Sequence, residues 1–154
     1  KNFSKMDIIC FNAFLNQEED KILIMPKKGF FYRMPTSHQA MIMKSSFLKA
    51  KKFNLIYKIA ADFDLIYNNV EKLYFYKSHF PLTMIEYGGF SSDNSFRAYF
   101  EYINIIFKNK KNKNKTLTLM LCIFKFVSII FFKSIISEKF LFKIKKYLLN
   151  VKKF

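Results

Sequence analysis

Two aspartates stand out because their surroundings are so basic. Asp62 and Asp64, in the run Ala60-Ala61-Asp62-Phe63-Asp64-Leu65, belong to a set of only 11 acidic residues facing 27 lysines and arginines. A carboxylate at the start of an apolar helix has two uses. It can complement the positive end of the helix dipole, or, held in a cleft, it can take a proton as a general base. On a helix the two residues point about 200° apart, so they cannot share one pocket. The apolar stripe Phe63, Ile66, Tyr67, Val70, Leu73, Tyr74 centres near Val70, which puts Asp62 at its edge and Asp64 further toward solvent. Asp62 is therefore the candidate base, and Asp64 a helix-terminal or surface residue.

Two further pieces have types that bear on chemistry. His38-Gln39 follows Pro35-Thr36-Ser37, where a helix can begin, so His38 is either a capped structural residue or a contact to substrate. Gly88-Gly89-Phe90-Ser91 reads first as a turn. The chain contains no GxGxxG, no phosphate-cradling Walker loop, no HExxH and no nucleophile elbow. Cys10 and Cys122 sit among apolar residues without CxxC spacing, which points to buried free thiols in a reducing compartment.

The elements that must position these residues follow from periodicity. Residues 7–15 and 21–25 read as strands on either side of the acidic turn Glu18-Glu19-Asp20. Residues 45–50 read as a short helix, and the stripe through Phe63 and Tyr74 as a longer one. Residues 75–87 are extended, with Pro81 marking a sheet edge or a break. Ser92, Asp93, Asn94 and Ser95 offer caps to a helix whose stripe is Phe96, Tyr99, Phe100, Ile103, Ile106 and Phe107, a core or docking face.

Taken in order, these pieces resemble a known family. His38-Gln39-Ala40-Met41-Ile42-Met43-Lys44, then residues 53–57, then Lys58-Ile59-Ala60-Ala61-Asp62-Phe63-Asp64-Leu65, then Gly88-Gly89-Phe90-Ser91, resemble the C-terminal half of bacterial family-2 glycosyltransferases of surface polysaccharide synthesis. The likeness covers residues 5–108. It implies an α/β chain with an incomplete GT-A, Rossmann-like fold lacking the N-terminal nucleotide-binding strands. It also implies an inverting enzyme that uses a nucleotide-sugar donor, a glycan or lipid-linked acceptor and a divalent metal, Mg or Mn. The block around Asp62 corresponds to the family's Glu-Asp motif, with Ala61 where many members carry Glu, so the resemblance makes Asp62 the catalytic base. It assigns substrate contacts to His38, Gln39, Asp64, Gly88, Gly89 and Ser91. No metal ligand is assigned here, because the family's Asp-x-Asp lies ahead of the His-Gln pair and no such motif precedes His38. The expectation is the acceptor-side half of an enzyme, a truncated product inactive alone.

The last third differs in character. Residues 108–154 hold 13 lysines against one acid, Glu138, whereas residues 1–107 hold 14 basic against 10 acidic residues. The run Lys108 to Lys115, alternating with Asn, reads as a linker (108–116) between a catalytic part (1–107) and a helical tail (117–154). Residues 117–136 are apolar at 15 of 20 positions. Lys125 near their middle costs a spanning helix about 2.5–3.5 kcal/mol. Thr118, Lys125, Ser128 and Lys133 cluster within about 140° on a helical wheel, an imperfect polar stripe. An interfacial helix pair on an anionic membrane is the expected arrangement, with a true span or packing on the missing half as alternatives. The expected location is cytoplasmic, peripheral on the inner face of the cell membrane.

A net charge of +16 and many aromatics also raise a nucleic-acid-binding module. Base stacking needs aromatics exposed among the basic residues. Here the body aromatics fall on helical stripes and the charge is segregated in the linker and tail, so nucleic acid is not the expected partner. A noncatalytic, membrane-associated protein with a degenerate transferase fold is the third reading.

Overall fold

The structure is a computed structural model that describes residues 5–17, 20–24, 34–69, 73–86, 94–109 and 114–151. It is mixed α/β. Strand β1 (Ile8–Gln17) is the centre of a four-stranded sheet. Strand β2 (Asp20–Ile24) pairs antiparallel with residues 13–17 of β1, and β3 (Met41–Met43) pairs antiparallel with Ile8–Cys10. Strand β4 (Phe75–Glu86) runs parallel to β1.

The β1–β4 ladder is irregular at Cys10, Asn12 and Ala13. The bulge shifts the alternation of β1 by one residue. Ile8, Cys10 and Asn12 point inward before it, and Ala13 and Leu15 after it. Pro81 stands opposite Asn12 at this break, on a strand that pairs only with β1 among the described residues. A residue with no N–H to donate fits such a place. The buried Asn12 amide donates to the His79 carbonyl at 2.6 Å, satisfying an oxygen next to the bulge.

A 3-10 turn, His38–Ala40, leads into β3. Helix α1 (Ser45–Lys51) and helix α2 (Ala61–Tyr67) follow, then α3 (Ser95–Lys108), α4 (Lys115–Ile135) and α5 (Glu138–Val151). Gly88, Gly89 and Ser91 lie outside the described residues, as do Val70, Ser92, Asp93 and residues 110–113 of the 108–116 linker. Asn94 occupies the N-cap position of α3 without a side-chain capping bond.

Helix α2 is shorter than its periodicity predicts. Asn68 and Asn69 stop it: Asn68 Nδ2 donates to Asp64 Oδ1 and Asn69 Nδ2 to the Leu65 carbonyl, both at 2.8 Å. Amide side chains that bond the preceding turn compete with helical continuation. Leu73 and Tyr74 instead lead into β4, and the Tyr74 carbonyl accepts the amides of Asp7 and Ile8.

The core has two parts that meet at α2. Leu65 and Ile66 join Ile8, Cys10 and Phe47 beneath the sheet. Phe63 and Tyr67 join Tyr57, Tyr99, Ile105, Ile106 and Cys122 between the helices. Each such side chain contributes roughly 1.5–3 kcal/mol on burial. Both cysteines are free and buried, as their apolar neighbours suggest.

Helices α3 and α4 form an antiparallel pair. Phe107 lies under the Lys115 ammonium at 4.6 Å, while Phe96 and Phe100 both meet Phe126, with centroids 5.3 and 5.8 Å apart. The α3 aromatics therefore divide: Tyr99 is buried, and Phe96, Phe100 and Phe107 remain exposed.

Candidate functional site

Asp62 and Asp64 flank the fully buried Phe63 near the start of α2, and each faces a different neighbourhood. Asp62 Oδ1 accepts the Phe63 amide at 2.7 Å, while Oδ2 lies 3.8 Å from His38 Nδ1. The separation is too long for a hydrogen bond and close enough for an ion pair when the imidazole is charged. The Asp62 side chain is 21% exposed and that of His38 65%. Burial pushes the Asp62 carboxyl above its ordinary value, against the downward pull of the Phe63 amide and His38.

Asp64 turns the other way, to the side chains of Asn54 and Asn68. Burial raises its carboxyl too, and those two amides oppose the rise. Gln39 is exposed beside His38. The fold thus brings His38 to Asp62 across 24 residues and keeps Asp64 apart from both.

One residue that the sequence reading passed over holds this region in place. Glu101 on α3 accepts three consecutive amides from the turn before α2: Lys58 at 3.1 Å, Ile59 at 2.8 Å and Ala60 at 2.9 Å. Arg97, one turn earlier, donates to the same carboxylate at 3.2 Å. Burial alone would raise the Glu101 carboxyl, but the three amides and Arg97 together outweigh it and hold it below its ordinary value. The only sequence signal was an Arg-Glu pair at i, i+4 on an otherwise apolar helix.

Tyr102, the next residue, closes the inner side. Its ring meets Phe63 edge-on at 4.6 Å. Burial, and then the charge of Asp62, push its hydroxyl well above the usual tyrosine range.

The donor set does not fit a divalent cation. Asp62 has one oxygen committed to a backbone amide and the other facing an imidazole. Asp64 is held by asparagines on the far side, and no group of three metal-ligating side chains forms among the described residues. Hard cations need several oxygen ligands converging on one point. An open groove of about 490 Å³ lies beside Glu101, lined by Ile56, Tyr57, Arg97, Phe100 and Phe107, and neither His38 nor Asp62 lines it.

No family model, no curated protein and no solved structure matches the chain.

Proposed function

We propose that residues 5–108 form the acceptor-side part of an inverting family-2 glycosyltransferase of GT-A type, with Asp62 as its general base. The observation that carries this reading is the Asp62 carboxylate. It is held where burial raises its proton affinity, with Oδ2 turned toward His38. A carboxylate tuned upward is better matched to proton transfer near neutral pH than an ordinary one. Support also comes from the order of the His-Gln pair, the Asp62 block and the double glycine along the chain.

In the reaction, an acceptor hydroxyl oxygen bonds to the anomeric carbon of the donor sugar. The bond from that carbon to the diphosphate breaks, and the diphosphate leaves with the electron pair. The hydroxyl proton passes to Asp62 Oδ2. His38 orients the carboxylate and contacts substrate from its exposed position. Glu101 fixes the turn that precedes Asp62, so the carboxylate meets the acceptor at a set position.

The reading requires a donor-binding half that the described residues do not contain. Fusion of this chain behind the N-terminal, nucleotide-binding half of a family-2 glycosyltransferase tests the reading. Release of nucleoside diphosphate from a nucleotide-sugar panel, dependent on an added glycan acceptor, is the expected result, and Asp62→Asn removes it. A noncatalytic protein with a degenerate transferase fold is the second reading. It is favoured by the place of Asp62 in the first turn of α2, where a carboxylate also serves the helix dipole without any chemistry.

A further inference from the structure

Helix α4 is turned inside out relative to a water-facing amphipathic helix. Its polar positions Thr118 and Lys125 lie on the side turned toward α3, Thr118 buried and Lys125 half-buried. Thr118 donates to the Asn114 carbonyl at 2.9 Å, and the Lys125 ammonium sits 5.8 Å from the Tyr99 ring on α3. Cys122 lies in the core on the same side, with Phe126 and Ile129 packed against that core.

The opposite side carries Leu117, Met120, Phe124, Val127, Phe131 and Ile135, at spacings of 3, 4, 3, 4 and 4 that keep one face of an α-helix. All six are exposed, Phe124 to 73%. No charged residue interrupts this face. The serines at its margins are satisfied within the helix, Ser128 donating to the Phe124 carbonyl at 2.8 Å and Ser134 to the Phe131 carbonyl at 2.7 Å. Hydroxyls bonded to their own helix do not depend on water.

We infer that this stripe is a membrane-docking surface: α4 lies along an anionic bilayer with the six residues in the acyl region and Thr118, Cys122 and Lys125 facing the protein. The 21-residue helix is long enough to cross a bilayer, but α3 and the core cover its other side over residues 118–129. A span would have to shed that packing, whereas an in-plane position keeps it. The partner's charge follows from residues 108–154, whose 13 lysines face a single acid. Apolar burial together with attraction to anionic lipid is what holds an interfacial helix. The inference does not depend on the catalytic reading.

The chain has no tryptophan, so single substitutions Leu117→Trp, Phe124→Trp and Ile135→Trp report on local environment. With vesicles containing phosphatidylserine, all three are expected to shift to the blue and to be quenched to a similar, shallow depth by brominated acyl chains. The double variant Phe124→Glu/Phe131→Glu should keep its helical circular dichroism and lose at least about tenfold in vesicle partitioning. Four results would overturn the inference. These are no binding to the vesicles, binding that the double variant leaves unchanged, deep quenching at 124 with shallow quenching at 117 and 135 as a span requires, or a lipid-free oligomer that buries the stripe.

Discussion

At the scale of single residues, Asp62 and Glu101 carry opposite electrostatic signatures, and these predict opposite mutational effects. The Asp62 carboxyl is raised by burial, so its charge weakens the fold once the unfolded chain has ionised. Asp62→Asn should therefore leave thermal stability unchanged or higher at pH 7. The advantage should vanish below about pH 4, where the carboxyl is neutral in both states. A gain in stability with a loss of function is the expected mark of a residue kept for chemistry. Glu101 is the reverse case. Its stabilisation is present above the ordinary glutamate value of 4.5 and is lost as pH falls through its lower folded value. Glu101→Gln should cost about 1–3 kcal/mol in denaturant unfolding, because amides that bonded a carboxylate lose an acceptor. It should also flatten the acid limb of stability. The divergence of Asp62 and Asp64 was legible in their spacing alone, since two positions on a helix fix the angle between them. The approach of His38 to Asp62 was not, because nothing local joins residues 24 apart. Glu101 was missed for a related reason: its partners are backbone amides some forty positions earlier, which leave no trace in side-chain type.

At the scale of elements, strands β1, β2 and β4 and the α1 and α3 helices followed the sequence pattern closely, whereas the three-residue β3, which pairs with Ile8–Cys10, was not expected. Helix α2 ends at Tyr67 because Asn68 and Asn69 bond back onto it, although the apolar period runs on to Tyr74. Periodicity registers which faces are apolar and is blind to amides that compete with the backbone. The close of α1 shows a different strain. Lys52 takes φ 50° and ψ 154°, a conformation that suits glycine, while its amide bonds the Leu48 carbonyl at 2.9 Å. Lys52→Gly should relieve this strain by about 1 kcal/mol, raising the melting temperature by roughly 2–4 °C in a chain of this size. Lys52→Ala should give no such gain. Calorimetry of the two variants side by side separates backbone relief from loss of the lysine.

At the scale of the whole molecule, charge partition was visible in the sequence, and the orientation of α4 was not. A helical wheel groups Thr118 and Lys125, and only the position of α3 decides whether that group meets water or protein. The tail is also tied to the rest of the chain, since Cys122 shares a core cluster with Tyr99, Ile105 and Ile106. Docking through α4 is one claim, and the catalytic claim stands or falls separately. Its most direct test is the rate of sugar transfer at saturating donor, with Asp62→Asn and Asp64→Asn compared in the same fusion to a donor-binding half. Loss of a general base predicts a fall of about 10²–10⁴-fold for Asp62→Asn, with Asp64→Asn keeping most of the parent rate. Equal rates for Asp62→Asn and the parent would contradict the assignment.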